Sequence, residues 1–291
     1  MLLGLFFAIL SPLCWSVTNI VDKLVVTKRV KDVIGYVPVV GFAGLSVGII
    51  LSLFLDWSAA SFSNLVFPVA TGLIGGMGAY VYYFVMKHED VSHVVGLFYI
   101  YPVFVAIAAY ALYGETIPAL GYAGMTLATL GVLWLSWRAN ALSKKSRLWM
   151  IIIFIAIIVV QNVLMKEAIT RLPIWENVAA NSIGSGTGFL LGLVIPRVRR
   201  GFVKEVHNAW VPFVNEAFAF SGMAMMYAAL ATVPLTIVSA IGTIQPLAVL
   251  FLERAADAFG HKLSKEHLLL PKLGPILLIV AGVALLAVST A

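Results

Sequence analysis

The chain has 291 residues, of which 62% are hydrophobic and 11% are charged, and its mean hydropathy is +1.02. A soluble domain is about one-quarter charged, so this composition argues against a soluble enzyme, a nucleic-acid-binding domain or a disordered chain. The net charge of +6 then indicates loops that face anionic lipid. We therefore predict an integral membrane protein with the lipid bilayer, and no nucleic acid, as its partner.

Ten apolar runs along the chain are each long enough to form a membrane-spanning helix, for which about 20 residues are needed. The runs are continuous and do not alternate between apolar and polar residues, so helices are predicted instead of barrel strands. The connections are too short to form a separate domain, and any function must therefore lie between the helices. The predicted spans are 2–21, 34–55, 65–86, 93–113, 118–137, 148–166, 175–195, 208–231, 234–253 and 271–289.

The basic residues are distributed unevenly between the loops. Of the 19 Lys and Arg residues, all but Lys166 and Arg171 fall in loops that follow odd-numbered spans. The positive-inside rule therefore predicts that these loops are cytoplasmic and that both termini lie outside. A prokaryotic inner membrane is the expected location.

The first span carries candidate aromatic and polar groups. Trp15 and Asn19 fall inside it, and Asn19 begins an N-x-x-x-K pattern that ends at Lys23. An amide buried in lipid needs a partner, which for Asn19 is either another helix or a bound solute. Lys23 is expected to extend to the cytoplasmic interface. The single cysteine, Cys14, allows no intrachain disulfide and no cysteine-based metal site, and we predict no cofactor.

Glycines repeat at helical spacing in two spans. Gly44 and Gly48 lie four residues apart in span two. In span seven, Gly184 and Gly188 have the same spacing, with Gly186 between them. Such patterns let helix backbones approach closely, either inside one protein or across a homodimer. A monomer and a homodimer therefore both remain open.

Aromatic side chains are concentrated in spans three and four. Tyr80 and Tyr83 share one face of span three, and Tyr99 and Tyr101 follow in span four. Such a wall could stack on an aromatic solute or hold a cation by cation–π attraction, although helix packing also accounts for aromatics. These four tyrosines and Trp15 are candidate substrate contacts. At the start of span four, we expect His93 at a solvated loop edge instead of a pH-sensitive gate.

Spans four and nine each contain an internal proline, Pro102 and Pro246. A proline inside a helix removes one backbone hydrogen bond and kinks the helix, so these positions are predicted gates or bends. Tyr101 and Gln245 come directly before the two prolines, near the middle of each span. Gln245 is therefore another candidate for binding a solute.

Glu216 is the strongest candidate among the ionisable residues. Counted from residue 208 at 1.5 Å per residue, it lies about 12 Å into span eight. A carboxyl at that depth is costly and normally faces a partner or a wet cavity. We therefore predict a role in substrate binding and proton coupling, unless span eight begins near Asn215 and Glu216 is interfacial. In span six, Asn162 is a candidate contact, and Lys166 is expected to reach the outer interface.

The second half of the chain weakly repeats the first. An offset of 144 places Tyr83 on Tyr227, which adds Tyr227 to the candidate contacts, and an offset of 143 aligns two N-x-x-x-K patterns. Five spans are an odd number, so two copies, residues 1–140 and 141–291, must be inverted relative to each other. We predict an all-α integral membrane protein of ten transmembrane helices in two inverted five-helix repeats, an architecture typical of secondary transporters.

The segments around the prolines resemble a known family. The first extends from Tyr101-Pro102-Val103-Phe104 to Gly114-Glu115, and the second includes Val233-Pro234-Leu235 and Ile244-Gln245-Pro246-Leu247. They are similar to the signatures of the EamA branch of the drug/metabolite transporter superfamily, and the resemblance covers nearly the whole chain. It implies a carrier of small organic solutes and an architectural role for the glutamate. The second half departs from this pattern, because Gly260-His261 stands where the glutamate would recur.

These observations predict a secondary transporter, and not an enzyme, that moves a small organic solute by alternating access. The cavity is expected between the first four helices of each repeat. The leading substrate, implied by the resemblance, is an amino acid or a related metabolite that is exported, with protons as a candidate coupling ion. Uptake or exchange of a quaternary ammonium, nucleotide-sugar or phosphorylated solute is an alternative, as is a structural subunit without transport activity.

Overall fold

The computed structural model describes residues 1–88, 91–136, 145–261, 263 and 273–289 of the chain, and over these residues it is helical without a strand. The side chain of His93 and the predicted boundary at residue 140 lie outside this description. The helices are α1 (Leu2–Lys28), α2 (Val33–Ser52), α3 (Phe62–His88), α4 (Val91–Phe98), α5 (Tyr101–Tyr113), α6 (Ala119–Ser136), α7 (Lys145–Ile169), α8 (Ile174–Leu190), α9 (Pro196–Glu205), α10 (Trp210–Leu230), α11 (Leu235–Ile241), α12 (Gln245–Ala258) and α13 (Leu273–Ser289).

Seven helical segments in the described part of the chain are long and apolar enough to cross a membrane. They include α1, α2, α3 and α10, the apolar part of α7, and the α4–α5 and α11–α12 pairs, each taken as one span. An eighth span results if α8 and α9, which are bent by 114°, are counted together, while α6 and α13 contain shorter apolar helices. The protein is therefore an all-α integral membrane protein.

Helix α1 extends further than its composition predicted. It continues to Lys28 instead of ending at 21, and both Asp22 and Lys23 are buried inside it. Lys23 donates from Nζ to the carbonyl oxygen of Met86 at 2.7 Å, so the lysine does not extend to an interface. The prediction for Lys23 was wrong, because a polar pair in the last turns of a helix can be satisfied by the neighbouring helix α3.

The two proline-containing spans are broken helices. The first break lies at Tyr99 and Ile100, between α4 and α5, and the second is the 3₁₀ turn Gly242–Ile244 between α11 and α12. In each case the proline is in the first turn of the second helix, where its missing N–H needs no partner. Pro102 and Pro246 therefore begin new helices rather than kinking the middle of continuous ones.

Glycines bring α8 into direct contact with α3 and α2. A Cβ added to Gly72 of α3 would lie 2.0 Å from the carbonyl oxygen of Asn181, and one added to Gly184 would lie 2.2 Å from that of Val69. On the other side of α8, a Cβ on Gly186 would lie 2.5 Å from Leu45 Cβ of α2. The small residues of spans two and seven thus serve contacts within one chain.

A short helix, α9, replaces part of a predicted loop. Val198, Gly201 and Glu205 are buried on one face, while the arginines Arg197, Arg199 and Arg200 are exposed. Glu205 accepts hydrogen bonds from the backbone N–H groups of Lys31 and Asp32, at 3.0 and 2.8 Å. This carboxyl ties the second half of the chain to the turn between α1 and α2.

Candidate substrate cavity

A cavity of about 340 Å³ lies among the helices of both halves. Its lining comes from α1, α2, α3, α4, α5, α7, α8, α10, α11 and α12 and from the two helix breaks. Its volume falls within the range of pockets that bind small molecules, about 300–1,000 Å³. The cavity is therefore large enough for a small organic solute.

Asp22 is the most strongly hydrogen-bonded acid in the cavity lining. Its Oδ1 accepts from the hydroxyl of Tyr83 at 2.9 Å and from Nδ2 of Asn215 at 3.0 Å, and its Oδ2 accepts from Tyr82 at 3.1 Å. The same hydroxyl lies 2.8 Å from Oδ1 of Asn19, so its one hydrogen is shared between the amide and the carboxyl. Such bonds to a carboxylate are among the stronger ones in proteins, so these side chains hold Asp22 in one orientation.

The sequence analysis did not select Asp22, because it predicted that span one ends at residue 21. The apolar residues Leu24, Val25 and Val26 after Asp22 were the available signal that the helix continues. A helix of 27 residues spans about 40 Å at 1.5 Å per residue, so Asp22 falls well inside it.

Glu216 also lines the cavity and is half-buried. Helix α10 begins at Trp210, so Glu216 lies in its second turn and is not a residue at the start of the helix. The two carboxyls, Glu216 and Asp22, are close enough to interact electrostatically. Unlike Asp22, Glu216 makes no hydrogen bond to any residue that the structure describes. Its oxygens are therefore available to a ligand.

The two helix breaks meet in the cavity. The hydroxyl of Tyr99, at the first break, donates to Oε1 of Gln245, which begins the helix after the second break. Tyr101 packs beside Tyr99 with ring centroids 5.2 Å apart, and all three side chains line the cavity. Residues that are far apart in the sequence thus form one polar and aromatic wall.

Three amides line another part of the cavity. Gln161 donates to the carbonyl oxygen of Thr71 at 3.0 Å, and Asn181 donates to the hydroxyl of Tyr227 at 3.0 Å. Asn162 donates within its own helix to Ile158, and its Oδ1 has no partner among the described residues. A buried acceptor without a partner is costly, so this oxygen is also available to a solute or to water.

Eight of the predicted contact residues line the cavity: Trp15, Asn19, Tyr83, Tyr99, Tyr101, Asn162, Glu216 and Gln245. Tyr80 does not, because its hydroxyl donates to the carbonyl oxygen of Phe189 on α8, and its neighbour Tyr82 faces the cavity instead. Tyr227 is fully buried behind Asn181 and is likewise absent from the lining. Direct substrate contact by these two tyrosines therefore stays a prediction, and the lining of this cavity does not support it.

Lys166 is engaged in a contact between the two halves. It donates to the carbonyl oxygen of Leu230 at 3.3 Å, and its Nζ lies 3.8 Å from Oε1 of Glu115. Glu115 accepts from the backbone N–H groups of Leu235 and Thr236, both at 3.1 Å, at the start of α11. The glutamate therefore caps a helix of the other half, an architectural role.

The ionisable side chains in the described lining of the cavity are both acidic. Among the described residues, Asp22 and Glu216 are the ionisable acids of the lining, and no Lys, Arg or His belongs to it. No group of three or more His, Cys, Asp or Glu side chains suited to a metal ion occurs in the described part of the chain. The aromatic residues of the lining are Trp15, Tyr82, Tyr83, Phe98, Tyr99, Tyr101, Phe154 and Phe189.

Comparison with known proteins gives a family for the first half and a fold for the whole chain. Residues 2–137 match the EamA-like transporter family. No curated protein matches the chain at a significant level. One crystal structure shares 16% identity with a TM-score of 0.68, covering 98% of this chain and 97% of its own. At this identity the structural likeness concerns the fold alone.

Proposed function

We propose that this protein is a secondary carrier of a small organic solute, of the drug/metabolite type, because residues 2–137 match the EamA-like transporter family. The observation that carries the proposal is the cavity between the two halves, with two carboxyls and an aromatic wall in its lining. A structural subunit would not need buried acids facing a cavity, since each of them is costly in a membrane.

We propose that the carrier has ten transmembrane helices. The seven long segments would be joined by α8 and by the shorter helices α6 and α13, which pack against each other. An apolar helix of 17 or 18 residues is near the lower limit for a span, and tilt and local thinning of the bilayer accommodate such lengths.

Two matching hydrogen bonds support an inverted repeat. Lys23 donates to the carbonyl oxygen of Met86, and Lys166 donates to that of Leu230. The lysines are 143 residues apart and their acceptors 144, which are the offsets of the sequence repeat. Helix packing follows the same pattern, because α1 packs against α10 while α7 packs against α3. Two similar halves of opposite orientation would provide the inward-open and outward-open states of alternating access.

The solute would bind at the residues that combine exposure to the cavity with polar or aromatic chemistry. These are the two acids, Gln245 and the tyrosines beside it, and the amides Asn19 and Asn162. An amino acid or a related amine, moved outward, remains the leading cargo, and Glu216 is the proposed site of any proton coupling. A nucleotide-sugar or phosphorylated solute is disfavoured, since no cation belongs to the described lining.

Counterflow in liposomes tests the carrier function. Purified protein is reconstituted into vesicles preloaded with candidate solutes, and entry of the labelled solute is measured. Ala219 lines the cavity and Ala217 is exposed on the same helix, so Ala219→Trp and Ala217→Trp form a matched pair. We expect counterflow in the parent protein and in Ala217→Trp, and its loss in Ala219→Trp. Absence of counterflow for every solute in the parent would contradict the proposal.

A further inference from the structure

The acidic side chains of the cavity lining limit the charge of the solutes that it can bind. Asp22 and Glu216 place two carboxyls in the lining, and the further polar side chains of the described lining are amides, hydroxyls and the indole of Trp15. A solute carboxylate or phosphate would meet two acids and no compensating cation. Juxtaposed like charges cost several kcal/mol, so an anionic group on the solute is strongly disfavoured. The lining therefore favours a cation.

The two acids differ in the number of hydrogen bonds that they accept. The oxygens of Asp22 already accept three hydrogen bonds, from Tyr82, Tyr83 and Asn215. Glu216 accepts none from the described residues, although it lies next to Asn215 and within electrostatic range of Asp22. A carboxylate with free acceptor positions binds best to a group with N–H donors, which a primary ammonium has and a quaternary ammonium lacks.

The wall beside Asp22 is aromatic. The hydroxyl of Tyr82 bonds to Asp22, while its ring lies 6.3 Å from that of Phe98 and 6.0 Å from that of Phe154. Phe98 and Phe154 are 4.4 Å apart, and all three side chains line the cavity. Such a wall accommodates the apolar or aromatic body of a solute whose cationic end lies at the acids.

Resting on the carrier function above, we propose that the solute is a primary amine with an apolar or aromatic body and no free carboxylate. Its ammonium group donates to Glu216 and lies beside Asp22, and its body packs on Tyr82, Phe98 and Phe154. This proposal replaces the amino acid by the corresponding amine as the preferred cargo. It also assigns Asp22 as the residue that orients the acidic site and adds to its charge.

The test compares solutes that differ in one group. Phenethylamine, its trimethylammonium derivative and phenylalanine are measured by thermal shift and by counterflow with the parent protein. We expect phenylalanine to bind at least about tenfold more weakly than phenethylamine, because of its carboxylate, and the quaternary derivative to fall between them. The variant Glu216→Gln should lose most of the preference for phenethylamine over phenylalanine.

Glu167→Gln is the control, since Glu167 is a partly exposed carboxyl that pairs with Arg171 outside the cavity. This variant should keep the preference of the parent protein. Neutralising Glu216 removes no hydrogen bond within the described protein, so the variant is expected to fold. Stronger binding of phenylalanine, or an unchanged preference in Glu216→Gln, would overturn the proposed amine site while the carrier function stands. Failure of every solute in both assays would overturn both.

Discussion

Helices α3 and α10 are aligned by the proposed repeat but meet their neighbours differently. The offset of 144 that aligns Tyr83 with Tyr227 also aligns Gly72 with Glu216. At Gly72, α3 packs against the backbone of α8, so closely that a Cβ would lie 2.0 Å from a carbonyl oxygen. At Glu216, α10 instead presents a carboxyl near Gly44 of α2, with a Cβ-to-oxygen distance of 3.1 Å.

In the proposed repeat, this difference would give one half a group that the other half lacks. The position that glycine uses for backbone contact in the first half carries a cavity acid in the second. The reverse holds two spans earlier in each half, where Asp22 of α1 aligns with Met165 of α7 at the offset of 143. The acids of the cavity therefore lie at positions where the two proposed repeats differ in sequence.

The largest effect on stability is expected from adding a methyl group at the close contact between α3 and α8. We predict that Gly72→Ala lowers the free energy of unfolding by about 3 kcal/mol, because the added Cβ meets backbone that cannot move independently. Thermal unfolding in detergent measures the change. A variant as stable as the parent would show that α3 and α8 are not in close contact.

A smaller effect is expected from the equivalent tyrosines. Tyr83→Phe removes a hydrogen bond to the Asp22 carboxyl, and Tyr227→Phe removes one from the neutral amide of Asn181. We predict stability losses of about 2 and about 1 kcal/mol, since bonds to charged groups are the stronger ones. Amine binding should weaken only in Tyr83→Phe. Equal losses of amine binding in both variants would contradict a binding site that involves Tyr83 and not Tyr227.

A third comparison is between Glu115 and His261, which stands where the glutamate would recur in the second half. Glu115→Ala removes the cap of α11, and we predict a loss of about 1 kcal/mol in thermal unfolding measurements. His261 is exposed and lies 3.2 Å from Nζ of Lys28, so His261→Ala should leave the stability unchanged. A larger loss for His261→Ala than for Glu115→Ala would reverse the assigned roles.

The smallest effect on stability is expected at Gly44. A methyl group there would approach the flexible end of the Glu216 side chain, which can shift, so Gly44→Ala should change the unfolding free energy by less than about 0.5 kcal/mol. Amine binding should nevertheless weaken, because the carboxyl is displaced. Titration of the solute in a thermal-shift assay separates the two quantities. Unchanged binding would place the amine away from this carboxyl.

The sequence predicted the membrane class, because the bilayer limits both the composition and the length of a spanning helix. It also predicted much of the cavity lining, because polar and aromatic residues inside apolar spans are conspicuous. Glu216 was found because a carboxyl inside an apolar run is costly in a membrane and therefore stands out. Asp22 was missed because hydropathy alone ended α1 too early, and its partners Tyr82, Tyr83 and Asn215 come from two other helices. Tyr80 was predicted to face the cavity but bonds to Phe189 of α8, because spacing gives the shared face of a helix but not which neighbour that face meets.

The contact between Tyr99 and Gln245 joins the two places where the spans are interrupted. Interrupted helices bend at the interruption, since the regular ladder of backbone bonds is broken there. Because Tyr99 at one break is bonded to Gln245 at the other, we expect a change of angle at the first break to alter the angle at the second. The two breaks would then act as one linkage instead of two independent hinges.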